Sequence, residues 1–498
     1  MKQRILAITM ALLMSGGVML SCGESDTAPV NYDIRDETET AMTDAAETEN
    51  GTLRSDTKDS LPDDLDFNGV TLTLPYEDRG LNATQDLFGE SSGDIVSDAV
   101  YKRTLAVEER LNVHFNWIKD DVDEKVMSKN LEKVISAGLP DYDMVIFQLR
   151  SIFPIMIKGY FRDLTGMPYI DYGQPWWYIS LMDECAIDSS QRYFVMGDMA
   201  LTPIKGASAM YFNKPMFKNY FGDDTALYQT VLDGKWVHDR MAEYCRVVYS
   251  DLNGNSEIDA DDQFGFVWPV WGVPNYLSMS TGLTYSKRGD DGLPVLDLNN
   301  ENSILWTEKL MMLLHDDNMS FTVDYGTTPI WFKNDQTLFH VGSLYDIDDF
   351  RELSFDFGII PHPKLTEELN YMSGARVTNG NVGVIPISSS DETVNACCAA
   401  LEALSAESYR NVIQVYYESA LKIKYVSTNI DAQMIDIIHD CISVPLIYAS
   451  DKLLGIGSTF TNVIDAGKGD FASYWAKNET AINKKWDGMI EDYLSLGK

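Results

Sequence analysis

The feature that most constrains the fold is a regular alternation of strand and helix patterns early in the chain. Three apolar or β-branched runs alternate with two stretches of helical spacing, at residues 69–75, 95–111, 113–118, 125–137 and 142–147. Strands that alternate with helices at this pace pair largely in parallel, because each helix carries the chain back to the same end of the sheet. The sequence therefore predicts an α/β fold.

Length and charge narrow the possible functions. The chain has 498 residues, which suits two or three domains, and apolar residues make up 45%, enough for a large core. Asp and Glu number 76 against 39 Lys and Arg, giving a net charge of −37. A surface this acidic repels phosphates, so we expect no nucleic-acid partner.

The first 22 residues are typical of a bacterial secretory signal. Lys2 and Arg4 precede an apolar run at 5–13, which is too short to span a membrane. The ending Leu20-Ser21-Cys22 resembles a lipobox, in which Cys22 becomes the lipidated first residue of the mature chain. The alternative is an ordinary secretory signal with a chance cysteine. Residues 23–64 are polar and acidic, and their composition predicts a disordered tether. We therefore expect the body to be lipid-anchored at the extracellular face of the cytoplasmic membrane.

Several short motifs together resemble a known family, the extracellular solute-binding lipoproteins of ABC importers (family 1, the sugar-binding type related to the maltose-binding protein). Their order and spacing carry the resemblance over about 65–490, and the motifs lie at 97–103, 107–112, 141–145, 211–214, 234–236, 357–361 and 416–418. Examples are Tyr211-Phe212-Asn213-Lys214 and Phe357-Gly358-Ile359-Ile360-Pro361.

This resemblance implies an α/β fold of the two-lobe, type II periplasmic-binding-protein kind, with the ligand in a cleft between the lobes. The chain is expected to cross between lobes near 203–204 and again near 361–364. The implied division is signal 1–22, tether 23–64, N-terminal lobe 65–203, C-terminal lobe 204–362, N-terminal lobe again 363–415, and C-terminal lobe helices 416–498. Hinge closure around a bound solute would then present a shape that a permease can read.

One loop in the C-terminal lobe has the spacing of an EF-hand calcium loop. Oxygen-bearing residues occupy positions 1, 3, 5, 7, 9 and 12, which are Asp251, Asn253, Asn255, Glu257, Asp259 and Asp262. Glu257 would contribute its backbone carbonyl. Ser256 replaces the usual glycine and Asp262 replaces the bidentate Glu, as in dockerin loops. We expect a structural Ca²⁺ here, with a plain acidic turn as the alternative.

Ligand contacts are predicted from the resemblance and from the chemistry of sugars, whose C–H faces pack on aromatic rings and whose hydroxyls bond amides and charged groups. The predicted residues are Asp78, Arg79, Phe147, Gln148, Arg150, Trp268, Trp271 and Tyr345. Lys205 and Ser208 flank the first crossing and are weaker candidates. The Trp176-Trp177 pair is another, although packing at the lobe surface is the simpler explanation for it.

The predicted function is the capture of an extracellular solute, an oligosaccharide by preference, by a monomer that serves ABC permease subunits. The alternatives are a receptor for a sensor or adhesin, or a binder of peptides or polyamines. A secreted glycosidase is weaker still, and no Gly-x-Ser-x-Gly or His-Glu-x-x-His motif occurs. We therefore expect no enzymatic activity.

Overall fold

The described residues form one five-stranded sheet and several two-stranded pairs in a computed structural model of the chain, and several of their strands are buried along their whole length. The structure describes residues 54–77, 84–120, 124–269, 273–315, 319–324, 326–350, 352–375, 380–417, 429–465 and 469–496. Among these residues, no helix is both long and apolar enough to cross a membrane.

The described strands are short and scattered through the chain. They are β1 (Val70–Glu77), β2 (Val113–Asp120), β3 (Val145–Gln148), β4 (Ser208–Asn213), β5 (Phe264–Pro269), β6 (Ser286–Arg288), β7 (Pro294–Leu296), β8 (Ser320–Val323), β9 (Thr337–Ser343), β10 (Phe357–Ile360), β11 (Ser373–Gly374), β12 (Asn381–Val384) and β13 (Ile442–Ser443).

Helices fill most of the intervening segments. The described α-helices are α1 (Ile95–Leu111), α2 (Glu124–Ser136), α3 (Leu149–Met156), α4 (Ile179–Cys185), α5 (Thr202–Lys205), α6 (Lys214–Phe221), α7 (Thr225–Leu232), α8 (His238–Val248), α9 (Val273–Met279), α10 (Glu301–His315), α11 (Thr328–Lys333), α12 (Asp391–Glu407), α13 (Asn429–Asp440), α14 (Leu446–Ala449), α15 (Asp451–Leu454), α16 (Thr459–Asp465) and α17 (Phe471–Leu494).

The first lobe is built on β1, β2, β3 and β12. β1 pairs with β2 in parallel, as the strand–helix–strand pattern predicts. The backbone N–H of Asp143, just before β3, donates to the carbonyl of Thr73 in β1 at 2.9 Å. On the other side of β3, the late strand β12 pairs antiparallel, with Gln148 opposite Asn381. A segment far along the sequence therefore completes the early sheet.

The second lobe is a five-stranded sheet in the order β10-β4-β9-β5-β8. β4 runs antiparallel to both of its neighbours, whereas β5 is parallel to β9 and to β8. The carboxyl ends of β5, β8, β9 and β10 therefore share one edge with the start of β4. Ligands in sheets of parallel strands bind at such an edge, outside the carboxyl ends of the strands.

The two lobes are joined where β4 begins. Ala207 forms a backbone bridge with Ala375, and the Ser208 hydroxyl donates to the Gly374 carbonyl at 2.6 Å. The chain thus enters the second-lobe sheet at Ser208, the first residue of β4. It does not leave the second lobe at 361–364, because Lys364 N–H still bonds the Trp236 carbonyl there at 3.0 Å. The chain stays on the second lobe up to Ala375 and reaches the first-lobe sheet again at β12.

The start of the described chain differs from the expected tether. Leu61 is buried, and the Asp59 carboxylate pairs with Arg110 of the first lobe and with Arg410. Burial alone would raise the pKa of Asp59, but the hydrogen bond and charge of Arg110 and the charge of Arg410 hold it below its usual value. Residues 54–64 are therefore fastened to the first lobe. Residues 1–53 lie outside the described residues.

Two buried histidines make the stability of the second lobe depend on pH. His238 begins α8 and His362 follows β10, and neither ring nitrogen of either residue has a hydrogen-bond partner among the described residues. Burial lowers both pKa values, that of His362 to about 3, and the charges of His362 and Lys309 lower that of His238 further. Both imidazoles are therefore neutral in the folded protein at physiological pH.

We predict that replacing His362 with Asn flattens the loss of stability on acidification. The unfolded chain takes up protons below about pH 6.5, while the folded chain does not, so stability falls as the pH drops below that value. Each such histidine costs up to about 1.4 kcal/mol per pH unit in this range. Urea unfolding of wild type and His362→Asn at pH 7.5 and 5 measures the difference. An equal loss for both proteins would contradict the prediction.

Candidate functional site

The candidate site lies where the ligand-facing edge of the second-lobe sheet meets the end of β3 in the first lobe. The structure brings several of the predicted residues to this junction from distant parts of the chain. Ser208 starts β4 and Ser343 ends β9, and the two are register partners. Tyr345 follows at once, so the aromatic residue predicted from sequence lies beside the first crossing.

Tyr345 is held by a short 3₁₀-helix, Leu344–Asp348. The Asp346 carboxylate accepts the backbone N–H of Ser343 at 2.7 Å and so caps the turn. The Tyr345 ring centroid lies 5.6 Å from the Lys205 ammonium, and the ring of Tyr416 lies 5.3 Å from the same atom. Lys205 therefore stands between two aromatic faces, an arrangement that favours a cation.

The charge of Lys205 acts on a buried carboxylate, Asp86. Burial raises the pKa of Asp86, while the Lys205 charge and hydrogen bonds from Asn381 Nδ2 (2.7 Å) and Thr202 N–H (2.8 Å) oppose that rise. Arg103 is also buried beside this group, and desolvation lowers its pKa to about 10. Its guanidinium donates to the carbonyl of Met199 at 2.9 Å, to that of Leu87 and to Ser408 Oγ at 3.2 Å. These charges fix the first crossing to the first lobe.

The first-lobe side of the junction is the end of β3. Phe147 and Gln148 are buried there, and Gln148 is opposite Asn381, which in turn holds Asp86. The side-chain oxygen of Gln148 is buried and has no hydrogen-bond partner among the described residues. A buried amide oxygen without a partner costs about 1–3 kcal/mol, so a ligand hydroxyl or a water is expected against it.

Arg150 lies two residues beyond Gln148, in the first turn of α3. Its Nη2 pairs with the Asp451 carboxylate at 3.1 Å, and 28% of its side chain remains exposed. Asp451 comes from the C-terminal segment, 301 residues away. The predicted ligand residue is therefore already engaged by the protein itself.

Trp268 ends β5 on the same edge, but the structure places it inside the lobe. It is 5% exposed and meets the His315 ring edge-on at 6.0 Å between centroids. Its indole nitrogen is buried with no partner among the described residues. Trp268 therefore packs inside the second lobe and offers little surface to a ligand. Asp78, Arg79 and Trp271, also predicted as contacts, lie outside the described residues.

The Trp176-Trp177 pair belongs to the first-lobe core. Both residues are buried, and the Trp177 indole donates to the Glu402 carboxylate at 3.0 Å. Burial raises the pKa of Glu402 to about 7, although hydrogen bonds from the backbone of Asp171 and from the Trp177 indole lower it in part. The packing explanation for this pair therefore holds.

Sequence reasoning missed Asp86, Asn381, Tyr416 and Asp451. Asp86 lies in a short polar stretch, and Asn381 follows the glycine of an Asn-Gly pair, features that are common in any loop. No sequence signal links them, because each joins the junction through contacts with residues about 100 to 300 positions away.

The predicted calcium loop is a tight turn between α8 and β5, closed by a backbone bridge between Ser250 and Gln263. The Asp251 carboxylate accepts the N–H groups of Gly254 (2.6 Å) and Ser256 (2.9 Å). Asp262 is fully buried and accepts N–H groups from Leu252 and Asp259.

The middle of the loop gathers around Asp259. The amide groups of Asn253 and Asn255 donate to its carboxylate at 3.3 and 2.8 Å. Hydrogen bonds, chiefly from the Asp261 N–H and Asn255, hold the pKa of Asp259 below its usual value. Residues 251–262 carry five carboxylates, at Asp251, Glu257, Asp259, Asp261 and Asp262, and no Lys or Arg. Oxygen donors of this kind are the ligands that Ca²⁺ takes.

Among the described residues, those of this loop included, no group of three or more His, Cys, Asp or Glu side chains is arranged to hold a metal ion. The predicted loop also depends on asparagine and backbone oxygens, and it stays a prediction from its spacing and charge.

No protein-family model matches the sequence, and no curated protein matches it either. Solved structures do match. The cyclic α-maltosyl-1,6-maltose-binding protein of Arthrobacter globiformis has a TM-score of 0.57 at 12% identity, covering 84% of this chain and 99% of that chain. The galacto-N-biose/lacto-N-biose I-binding protein of the ABC transporter of Bifidobacterium longum has a TM-score of 0.56 at 12% identity, covering 85% and 98%.

A third match is UgpB of Mycobacterium tuberculosis in complex with glycerophosphocholine, with a TM-score of 0.53 at 15% identity, covering 81% of this chain and 98% of that chain. Likeness at such low identity shows a shared fold. The predicted two-lobe α/β binding-protein fold is therefore confirmed.

Because Trp268 is buried, its replacement should reduce the stability of the protein. We predict that Trp268→Ala lowers the free energy of unfolding by about 3–5 kcal/mol, because it leaves a large cavity against His315. Trp268→Phe keeps most of the contact and should cost far less. Urea unfolding of both variants measures this, and an Ala variant as stable as wild type would show that the side chain is not packed as described.

Proposed function

We propose that this protein is the substrate-binding component of an ABC importer and captures an extracellular sugar, preferably an oligosaccharide, between its two lobes. The observation that carries the proposal is the junction itself. Gln148 ends β3 of the first lobe opposite Asn381, and the Tyr345 ring of the second lobe lies 5.6 Å from the Lys205 ammonium at the first crossing. The structural neighbours include binding proteins in complex with maltose and lacto-N-biose and a cyclic α-maltosyl-1,6-maltose-binding protein.

The chemistry of the junction suits a polyol. A tyrosine ring offers an apolar face to sugar C–H groups, and an amide oxygen such as that of Gln148 accepts a hydroxyl proton. Closure of the lobes would bury the ligand between these groups. The mechanism needs only that the ligand binds the closed arrangement more tightly than the open one.

The location of the protein and its partners follow from its N-terminal sequence and from its proposed role. We propose that the chain is a monomer lipidated at Cys22, that it is held at the extracellular face of the cytoplasmic membrane, and that its closed form docks on permease subunits. The signal pattern at residues 1–22 supports this location. We further propose that the protein binds its solute without converting it.

A thermal-shift screen of the body from residue 54 onward tests the function. We expect the melting midpoint to rise by a few degrees with one sugar class, because a ligand present at about 100 times its Kd stabilises the native state by about 2.7 kcal/mol. Gln148→Ala should reduce that rise, whereas Gln229→Ala on an exposed helix should not. The panel also contains peptides, polyamines and glycerophosphocholine. A rise with one of these instead of any sugar, or hydrolysis of the bound sugar, would contradict the proposal.

We also propose that the 251–262 loop binds a structural Ca²⁺. The five side-chain ligands would be Asp251, Asn253, Asn255, Asp259 and Asp262, and Glu257 would add its backbone carbonyl. The spacing of these residues and the five carboxylates of the loop support this, since a divalent ion would relieve the repulsion between like charges close in sequence. The ion would fasten α8 to β5 and take no part in ligand chemistry.

The calcium proposal predicts a specific effect of one carboxylate. Calcium should raise the melting midpoint of the wild type, and the rise should be much smaller in Asp259→Asn, which keeps the side-chain size but removes a ligand charge. Asp261→Asn makes the same change at a neighbouring position that is not a ligand. Calorimetry in calcium and in chelator measures both variants. Equal calcium responses in wild type and Asp259→Asn would rule out the site.

A further inference from the structure

We propose that Asp451 is a specificity-determining residue that biases the ligand site toward uncharged ligands. The inference rests on the proposed function, because it takes Arg150 to face the bound solute. It identifies an internal carboxylate in the place where an acidic ligand would otherwise bind.

Arg150 pairs with a carboxylate of the protein itself, that of Asp451. Arg150 Nη2 and Asp451 Oδ2 lie 3.1 Å apart, with 28% of the arginine side chain and 13% of the aspartate side chain exposed. A pair that is largely shielded from water is screened less than one on the open surface. The charge of Arg150 is therefore compensated by the protein before any ligand arrives.

Asp451 is fixed in place by a second contact. Its other oxygen, Oδ1, accepts the backbone N–H of Gly457 at 2.8 Å, so the carboxylate is held from both sides. The next residue, Lys452, donates from Nζ to Ser151 Oγ at 2.9 Å, beside Arg150. The C-terminal segment is thus fastened to the start of α3, and the carboxylate cannot easily swing away.

An anionic ligand would compete with Asp451 for Arg150. A guanidinium prefers a carboxylate or phosphate partner, and these bonds are among the strongest in proteins. An anionic ligand would have to displace Asp451 or lie against its negative charge. A hydroxyl carries no charge and has no need to displace Asp451, so a neutral sugar meets no such penalty.

The other cations of the junction do not offer an alternative partner. Lys205 and Arg103 are 5% and 3% exposed, and both act on the buried Asp86 carboxylate. Their burial keeps both cations out of reach of an incoming ligand. Among the described residues predicted to contact ligand, Arg150 is the cation that an acidic group could reach, and Asp451 controls it.

The test compares matched ligands on matched variants. Maltotriose and lacto-N-biose serve as neutral probes, each beside an analogue in which one C6 hydroxymethyl group is oxidised to a carboxylate. Calorimetry gives the ratio of the two affinities for wild type, Asp451→Asn and the double variant Asp451→Asn/Arg150→Gln. Asp391→Asn is the control, because it removes the partner of Arg162 (3.3 Å) in an exposed pair on the first lobe.

Wild type should prefer the neutral member of a pair. Asp451→Asn should shift the ratio toward the acidic member by about three- to tenfold, the range expected for a partly shielded charge pair. The double variant should lose that gain, since it depends on Arg150. Asp391→Asn should leave the ratio unchanged. Melting midpoints without ligand show whether each variant is folded.

Neutral binding with a ratio that does not move in Asp451→Asn would overturn this inference and leave the proposed function standing. A wild type that prefers the acidic member would do the same. If neither member of either pair binds wild type or Asp451→Asn, the sugar-receptor proposal fails and this inference fails with it.

Discussion

The backbone pairing at the start of β4 is the constraint on which the rest of the structure depends. Ala207 bridges Ala375, and the hydroxyls of Ser208 and Ser373 each donate to the opposite backbone, at 2.6 and 2.8 Å. Both connections between the lobes therefore run side by side. Because of this pairing, the carboxyl edge of the second-lobe sheet faces the end of β3, and every residue of the candidate site owes its position to that placement.

Buried charge is concentrated next to this junction. Asp86 lies among Arg103, Lys205 and the amide of Asn381, so its carboxylate has cationic and hydrogen-bonding partners where water is largely excluded. Removing one member of such a group usually destabilises a protein strongly, because the others remain buried without a partner. The same group joins the first crossing to the late strand β12. It therefore stabilises the relative placement of segments about 100 and 300 residues apart.

The net charge of the chain and the charges of the candidate site both affect the binding of anionic ligands. A net charge of −37 already disfavours anionic ligands at long range, although salt weakens this effect beyond about 8–10 Å. The Arg150–Asp451 pair acts at contact distance, where screening is weak. The two effects act in the same direction. The 251–262 loop is the opposite case, because it carries five carboxylates and no lysine or arginine.

The sequence by itself determined the local elements. The alternation of strand and helix patterns predicted the α/β class, and the patterns at 69–75, 113–118 and 142–147 correspond to β1, β2 and β3. Motif order was enough to predict the two-lobe fold. These predictions succeed because periodicity and capping depend on residues within a few positions of one another.

Tertiary structure decided what depends on distant partners. It placed the second crossing after Ala375, fastened residues 54–64 through Asp59, buried Trp268 and paired Arg150 with Asp451. Each outcome depends on which of many chemically similar side chains lies nearby once the sheets have packed. A polar segment such as 54–64 looks like a tether until Arg110 and Arg410 are brought beside it. Composition and spacing carry no information about such contacts, because the free energy that selects them exists only in the folded arrangement.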